Sequence, residues 1–374
     1  MPKVLVINAG SSTLKMAAFH TSSAPSATPQ ENRLWSDHLD CTDHLAAFEI
    51  LLKRLRDDHP NWTPDIVGHR IVHGGPNFSK PVRITTDIFA QLKELTPLAP
   101  LHQPANLAGI DASMQLFPQT PQIACFDTAF HQTRSFASQT YAIPRHFFQH
   151  GIRRYGFHGL SYQYICEELQ RIAPSIASKK LIVCHLGNGA SLAAIENGQC
   201  CETTMGFTPT DGLPMGTRCG QIDPGVLLYW LKHDSLSADE INSLITKKSG
   251  LLGLSGGFSS DMRALLQANT QECRDAIDVF VYRVCHYIGA LTASLQGLDA
   301  LIFTGGIGEN AKSVRADILS RLQWLGIRID NSANQSNRLV ISSVDSKVGA
   351  FVIPTDEERV IARSATQLFA PQSL

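Results

Sequence analysis

Two stretches half a chain apart share one design. "VLVINAGSS" (4–12) and "LIVCHLGNG" (181–189) each run from an apolar strand into one polar residue, Asn8 or His185, then a spacer, a glycine and small polar residues. A second apolar run follows each, "LKMAAF" (14–19) or "SLAAI" (191–195). The same hairpin at the head of each half predicts a duplicated domain with a ligand cleft between the copies. With 374 residues, 43% of them hydrophobic, the chain is long enough to bury two such cores.

The remaining segments fit an α/β fold. Apolar runs predict strands over 3–7, 65–73, 122–127, 181–187, 300–306 and 350–354, and apolar spacing near 3.6 predicts helices over 43–58, 238–248, 275–295 and 356–369. Ser237 and Glu240 have capping-box spacing at the start of the second helix. The polar, proline-bearing "TSSAPSATPQEN" (21–32) reads as a surface excursion.

Glycine lets the backbone approach a ligand closely, and small Ser and Asn side chains leave N–H groups uncovered, so the two hairpin turns suit phosphate oxygens. A third glycine-rich turn, "FTGGIGEN" (303–310), lies between a strand and a helix expected from Ala311 and offers another such place. No G-x-x-x-x-G-K-[ST] motif occurs, and "GIGENA" lacks the third glycine of a dinucleotide fingerprint. Any one of these turns also fits an ordinary hairpin; their matched places in two halves favour a ligand. If Leu14 points into the sheet, Lys15 faces away beside the first turn, where an ammonium either neutralises phosphate or is simply solvated.

Several polar residues sit in apolar or glycine-rich surroundings: Arg70 in "GHRIVHGG", His102 in "LAPLHQP", Asp127 in "ACFDTAFH", His158 in "RYGFHG", Arg218 in "GLPMGTRCG" and Glu357 in "PTDEE". Strand ends are where α/β proteins hold ligands. His69 and His73 read as hydrogen-bonded structural histidines, since no H-E-x-x-H is present. A formal net charge of -1 supplies no basic field for nucleic acid or an anionic membrane. The nine cysteines include no C-x-x-C, and Cys125, Cys184 and Cys285 lie in apolar runs, as expected in a reducing cytosol. The few apolar residues before Asn8 are too short for a signal peptide, and the sequence carries no membrane-length apolar run, so a cytoplasmic chain is expected.

The motifs "VINAGSSTLK", "GHRIVHGG", "LAPLHQPAN", "FDTAFH", "YGFHGLSY", "CHLGNGASLAA", "GLPMGTR", "SSDMR", "FTGGIGEN" and "IPTDEE" together resemble, in order and over nearly the whole chain, those of the acetate kinase family. The resemblance implies two ribonuclease-H-like domains of the actin-like ATPase superfamily, an ATP cleft, a homodimer, and the reaction ATP + acetate ⇌ ADP + acetyl phosphate. It implies an N-terminal lobe of residues 1–131 plus 360–374 on the acyl side and a C-terminal lobe of 132–359 on the nucleotide side. Asn8 and Glu357 would position Mg²⁺ (or Mn²⁺), and Ser11, Thr13 and Lys15 would lie around the phosphates. His185, Leu186, Gly187, Asn188 and Gly189, with Asp261, Met262 and Arg263, and Gly306, Ile307, Gly308, Glu309 and Asn310, would enclose the nucleotide. Arg70 would hold the substrate carboxylate, with His102 beside it; Val72, Leu101, Phe157 and Pro209 would form a small apolar pocket. His158 and Arg218 would stabilise the transition state, with Asp127 as the catalytic carboxylate.

A carboxylic acid is already ionised near neutral pH, so Asp127 has no proton to remove and is expected to orient Mg²⁺ or an arginine. The chain departs from the family where "GTRCGQ" replaces the common "GTRSGD", placing Cys219 and Gln221 beside Arg218. Two other readings fit the same scaffold: a kinase for propionate or butyrate, and a non-catalytic ATP-driven switch.

Overall fold

The structure is a computed structural model that describes residues 1–10, 13–21, 31–41, 43–100, 102–268 and 270–369. The chain divides into two compact units, Met1–Gln132 with Phe157–Tyr164 and Asp356–Leu374, and Thr133–Gly156 with Ile165–Thr355.

The first unit carries β1 (Lys3–Ala9), β2 (Thr13–Thr21), β3 (Glu31–Asp40), β4 (Ile66–Ile71), β5 (Val82–Arg83) and β6 (Gln122–Phe126) in the order β3-β2-β1-β4-β6-β5. β1, β2 and β3 pair antiparallel, while β4 joins β1, and β6 joins β4, in parallel. Both faces of this sheet are covered, which is why "VLVI" is apolar without alternation. Leu5, Ile7, Leu14 and Met16 pack with Phe48, Leu51 and Leu55 of the helix His44–Asp58. Val4, Val6, Ala17, Phe19 and Ile66 pack with Leu160 and with Val360, Ile361 and Ala365 of the helix Glu357–Phe369. Gly68 permits that second contact: a Cβ there would stand 2.6 Å from Ile361 Cγ2.

The second unit carries β7 (Leu181–Leu186), β8 (Ala190–Glu196), β9 (Gln199–Thr203), β10 (Ala300–Thr304) and β11 (Gly349–Val352) in the order β11-β10-β7-β8-β9. β7, β8 and β9 are antiparallel; β10 and β11 are parallel additions on the other side of β7. Taken from β9 to β11, this repeats the path β3-β2-β1-β4-β6 of the first unit, with β5 as the extra edge strand. The echo of the two hairpins is therefore a true duplication of topology. The helix Gln271–Leu295, capped by Thr270, lays Phe280, Val284, Ile288 and Leu291 into the core beside this sheet.

Two expectations give way. Of the excursion expected over 21–32, residues 22–30 lie outside the described residues, but Glu31 and Asn32 already belong to β3, a ten-residue edge strand. The segment "FTGGIGEN" is not a turn leading to a helix at Ala311: Gly305–Asn310 is itself a helix, and the next begins at Lys312. Three contacts impose it against poor intrinsic propensity. Gly305 takes φ +76° against the Leu186 carbonyl, where a Cβ would meet oxygen at 2.8 Å. The Glu309 carboxylate accepts the Gly305 N–H at 2.8 Å. At the far end the fully buried Arg315 donates to the carbonyls of Gly308 and Glu309, each at 2.8 Å.

Candidate active site

In the first unit, the polar residues gather where β1, β4 and β6 end. Asn8 and Lys15 are register partners across β1 and β2, so their side chains leave on one face. Arg70 extends from the same face of the neighbouring β4. Its guanidinium grips Asp127, just past β6, in a two-pronged pair: Nη2 to Oδ2 at 2.6 Å, and Nε to Oδ1 and Oδ2 at 3.2 and 3.1 Å. Nη1 donates to Asn8 Oδ1 at 3.2 Å, and Glu357, the first residue of its helix, brings Oε2 to 3.7 Å from Nε. The Asp127 side chain is 1% exposed and that of Arg70 20%, so the carboxylate is shut from solvent while part of the guanidinium stays reachable. Burial alone would lower the Arg70 pKa, but the charges of Asp127 and Glu357 outweigh it and the net shift is upward.

Local backbone holds this constellation. The Asp127 carbonyl accepts the Gly159 N–H at 2.9 Å, and a Cβ at Gly159 would lie 2.1 Å from that oxygen. Only glycine allows the segment carrying His158 to pass so close. His158 is half-buried and takes φ +59°, a left-handed conformation that a non-glycine residue adopts at a cost. Phe157 and Val72 are both buried, and the Phe157 ring meets that of His73 edge-on at 5.6 Å. His102 is half-buried at the start of the helix Gln103–Leu116. Ser11 and Leu101 lie outside the described residues. Thr13 closes the first turn, its carbonyl accepting the Gly10 N–H at 2.8 Å.

His69 and His73 are the structural histidines expected. His69 is buried with a ring nitrogen 2.7 Å from Gln122 Oε1, and His73 Nδ1 accepts the Gly75 N–H at 2.9 Å. Burial lowers both pKa values to about 4.

One residue escaped sequence reasoning. Asn106, buried on the helix Gln103–Leu116, donates to the Ala9 carbonyl at 2.6 Å and accepts the Val72 N–H at 2.9 Å. It thereby ties the ends of β1 and β4, and the signal was present only as a polar residue inside the motif "LAPLHQPAN".

In the second unit, a cavity of about 800 Å³ opens at the ends of β7 and β10. Gly187, Asn188, Asp261, Arg263, Gly306 and Asn310 line it, and Met262 and Ile307 add apolar wall. A volume of that order admits a nucleotide. Asp261 caps the helix Met262–Gln267, accepting the Arg263 N–H at 2.6 Å. The others of the expected nucleotide set stand behind the wall: Leu186 and Gly308 are buried, His185 and Gly189 are half-buried, and Glu309 turns to the N–H groups of Gly305 and Thr355.

The loop bearing Arg218 is stitched to this wall. Gly216 N–H donates to the Asn188 carbonyl at 3.0 Å, Met215 N–H to the Arg218 carbonyl at 3.0 Å, and Ser249 N–H to the Thr217 carbonyl at 3.0 Å. Arg218 Nη1 lies on the Pro209 carbonyl at 3.0 Å. Beside it, Cys219 Sγ meets the Gly220 carbonyl at 3.1 Å and burial raises its thiol pKa, while Gln221 accepts the Tyr287 hydroxyl at 3.0 Å. Both departures from the family pattern are thus absorbed into the scaffold of the loop.

Comparison with known proteins agrees. The family model described as "Acetokinase family" matches residues 3–363. Acetate kinase of Methylocella silvestris is 45% identical, the match covering 98% of this chain and 97% of that protein; acetate kinase of Nitrobacter hamburgensis is 44% identical, covering 100% and 98%. Among solved structures, a propionate kinase from Francisella tularensis superposes with a TM-score of 0.88 at 38% identity, over 97% of this chain and 99% of that one. Acetate kinase of Porphyromonas gingivalis does so with a TM-score of 0.85 at 40% identity, over 98% and 100%. The fold is that of these kinases, a duplicated pair of α/β domains of the actin-like ATPase type. By its sequence, its topology and the matched length, the chain belongs to the acetokinase family.

Proposed function

We propose that this chain catalyses reversible transfer of the γ-phosphoryl group of ATP to acetate, giving ADP and acetyl phosphate by direct in-line displacement. The observation that carries the reading is Arg70: a guanidinium oriented by Asp127 and Asn8, yet one-fifth exposed. Such a group can accept a substrate carboxylate through its planar fork.

Two anions must meet in this reaction, and Coulomb repulsion opposes them. Cations must therefore line the path. The first unit supplies Arg70 for the acid, with His158 as a hydrogen-bond donor to the phosphoryl group and Thr13 and Lys15 for the phosphates. The second unit supplies the nucleotide cavity and Arg218, whose charge offsets that of the phosphoryl group in flight. Asp127 acts as the holder of Arg70, since the attacking carboxylate brings no proton to be removed. Val72, Phe157 and His102 of the first unit would bound the acyl group. Because acyl phosphates hydrolyse readily, the reaction favours exclusion of water before transfer.

Mg²⁺ suits this chemistry. Asn8 Oδ1 lies on Arg70 Nη1 and the Glu357 carboxylate near its Nε, so two hard oxygens flank the same guanidinium. Mg²⁺ bound with nucleotide phosphates takes one or two such protein ligands and supplies charge neutralisation at the phosphates. Asn8 and Glu357 would hold it.

A homodimer is supported by the helix Pro224–Lys232, which buries none of its residues and leaves Leu228, Tyr229 and Leu231 exposed; light scattering after gel filtration tests it. All nine cysteines are free, as in a reducing cytoplasm, and no described helix is long and apolar enough to cross a membrane.

A second reading, transfer to propionate, is favoured by the likeness to the Francisella tularensis propionate kinase. Each methylene is worth only about 1 to 3 kcal/mol in an apolar pocket. Trapping acyl phosphate with hydroxylamine, using MgATP and acetate, propionate or butyrate, separates the readings. Acetate should give the highest kcat/KM and propionate a lower one. No hydroxamate from any acid would leave only an ATP-driven switch.

A further inference from the structure

Helix Glu357–Phe369 starts within three consecutive carboxylates, Asp356 just before it and Glu357 and Glu358 in its first turn. Successive residues of a helix point about 100° apart, so the three cannot all face Arg70. Something must hold the other two. Arg33, on the edge strand β3, places Nη2 2.5 Å from Asp356 Oδ1 and 2.9 Å from Glu358 Oε2. Its guanidinium also lies over the Phe19 ring, 5.4 Å from the centroid, which fixes its direction. Arg359 completes the clamp, its Nε 3.1 Å from Asp356 Oδ2. Of the three, Glu357 is the one in ion-pair distance of Arg70, at 3.7 Å, while the charge of Glu358 also reaches Arg70 and Lys15.

We propose that Arg33 is a positioning residue for acid binding: by pairing with Asp356 and Glu358 it offsets their charges beside Arg70 and leaves Glu357 as the one of the three paired with Arg70. The inference rests on the reading of Arg70 as the acid-binding group. Arg70 already carries Asp127 and Glu357, and an incoming carboxylate must share it with both. Two further carboxylates released at the start of the helix would deepen the negative potential that the acid enters.

The test is the steady-state kinetics of Arg33→Met, Arg33→Lys and Arg33→Met/Glu358→Gln, with acetate and MgATP varied separately. Arg33→Met should raise the KM for acetate about three- to ten-fold at low salt, with kcat changed less than two-fold and the effect shrinking as salt screens it. Glu358→Gln added to Arg33→Met removes one of the released charges and should return the KM more than halfway. Arg33→Lys keeps the charge without the fork and should fall between. A purely structural role for Arg33 would lower the melting temperature and active fraction without this split, and without rescue by Glu358→Gln. An unchanged acetate KM in folded Arg33→Met, or a double variant no better than the single one, overturns the inference. Should Arg33→Met fail to fold, Arg33→Lys decides, since wild-type acetate KM at low salt in that variant contradicts the positioning role. Absence of acyl phosphate from the wild-type chain would instead overturn the acid-phosphorylating reading itself.

Discussion

Asp127→Asn is the sharpest single perturbation, because two mechanisms assign that carboxylate different duties. The substitution keeps shape and one acceptor oxygen but removes the charge from a side chain only 1% exposed, held by three N–O approaches of 2.6 to 3.2 Å to Arg70. Breaking a buried pair by removing one partner costs about 3 to 5 kcal/mol. Arg70 is 20% exposed and keeps Asn8 and Glu357, so the loss of folding stability should be nearer about 2 to 3 kcal/mol, and loss of the oriented guanidinium should lower kcat/KM by about 100-fold. Much of it should fall on the KM for acetate, since the guanidinium loses its orientation before the acid arrives. A general base would behave otherwise: kcat would fall by about 100- to 10,000-fold with loss of a titrating limb, and KM would hold. Initial rates by coupled ADP release, over a grid of acetate concentration and pH, distinguish the two. Nearly full activity, or a loss confined to kcat with an altered pH profile, would refute the assignment of Asp127 as the holder of Arg70.

Gly68→Ala should cost about 1 to 3 kcal/mol of stability by overpacking against Ile361 Cγ2, read as a lower urea midpoint, and should raise the acetate KM because Glu357 starts the displaced helix. Arg218→Ala should lower kcat about 100- to 1,000-fold, while Cys219→Ser, whose thiol only meets the Gly220 carbonyl, should change it less than about three-fold. Stability should fall on acidification: His69 and His73 have folded pKa values near 4, below 6.5, so the unfolded chain binds more protons between those limits. Their contribution is complete above pH 6.5 and lost as pH falls toward 4, by about 2 kcal/mol for each at pH 5; His69→Gln should flatten half of that slope in chemical denaturation.

How much of this was legible in the sequence depended on whether a feature was local. The two hairpins were legible because each is written in consecutive residues, and their sameness survives in strand order, although the pairing differs by one residue: Leu186 pairs with Ala190 where Ala9 pairs with Leu14. Leu14 and Lys15 were legible by alternation: Leu14 is fully buried and Lys15 exposed. Strand β3 was not, since "ENRLWSDHLD" is an edge strand with polar residues on its open side, and pairing to β2 decides its conformation. The helix Gly305–Asn310 was hidden for a different reason. Its glycines disfavour a helix, and the groups that impose it, Leu186 and Arg315, come from other elements. Arg70 and Asp127 could be singled out separately, but not their pairing, which joins residues 57 positions apart. Asn106 and Arg33 acquire meaning only when strand ends and a distant helix are brought together.

The central claim is that Arg70, oriented by Asp127 and Asn8, lets a small carboxylate take the terminal phosphoryl group of ATP. ³¹P NMR of the purified chain with MgATP and acetate addresses it directly, run beside Arg70→Met. The wild type should build an acyl phosphate resonance in step with ADP, and Arg70→Met should build almost none. ATP hydrolysis without that resonance, or an equal resonance from both proteins, would contradict the account.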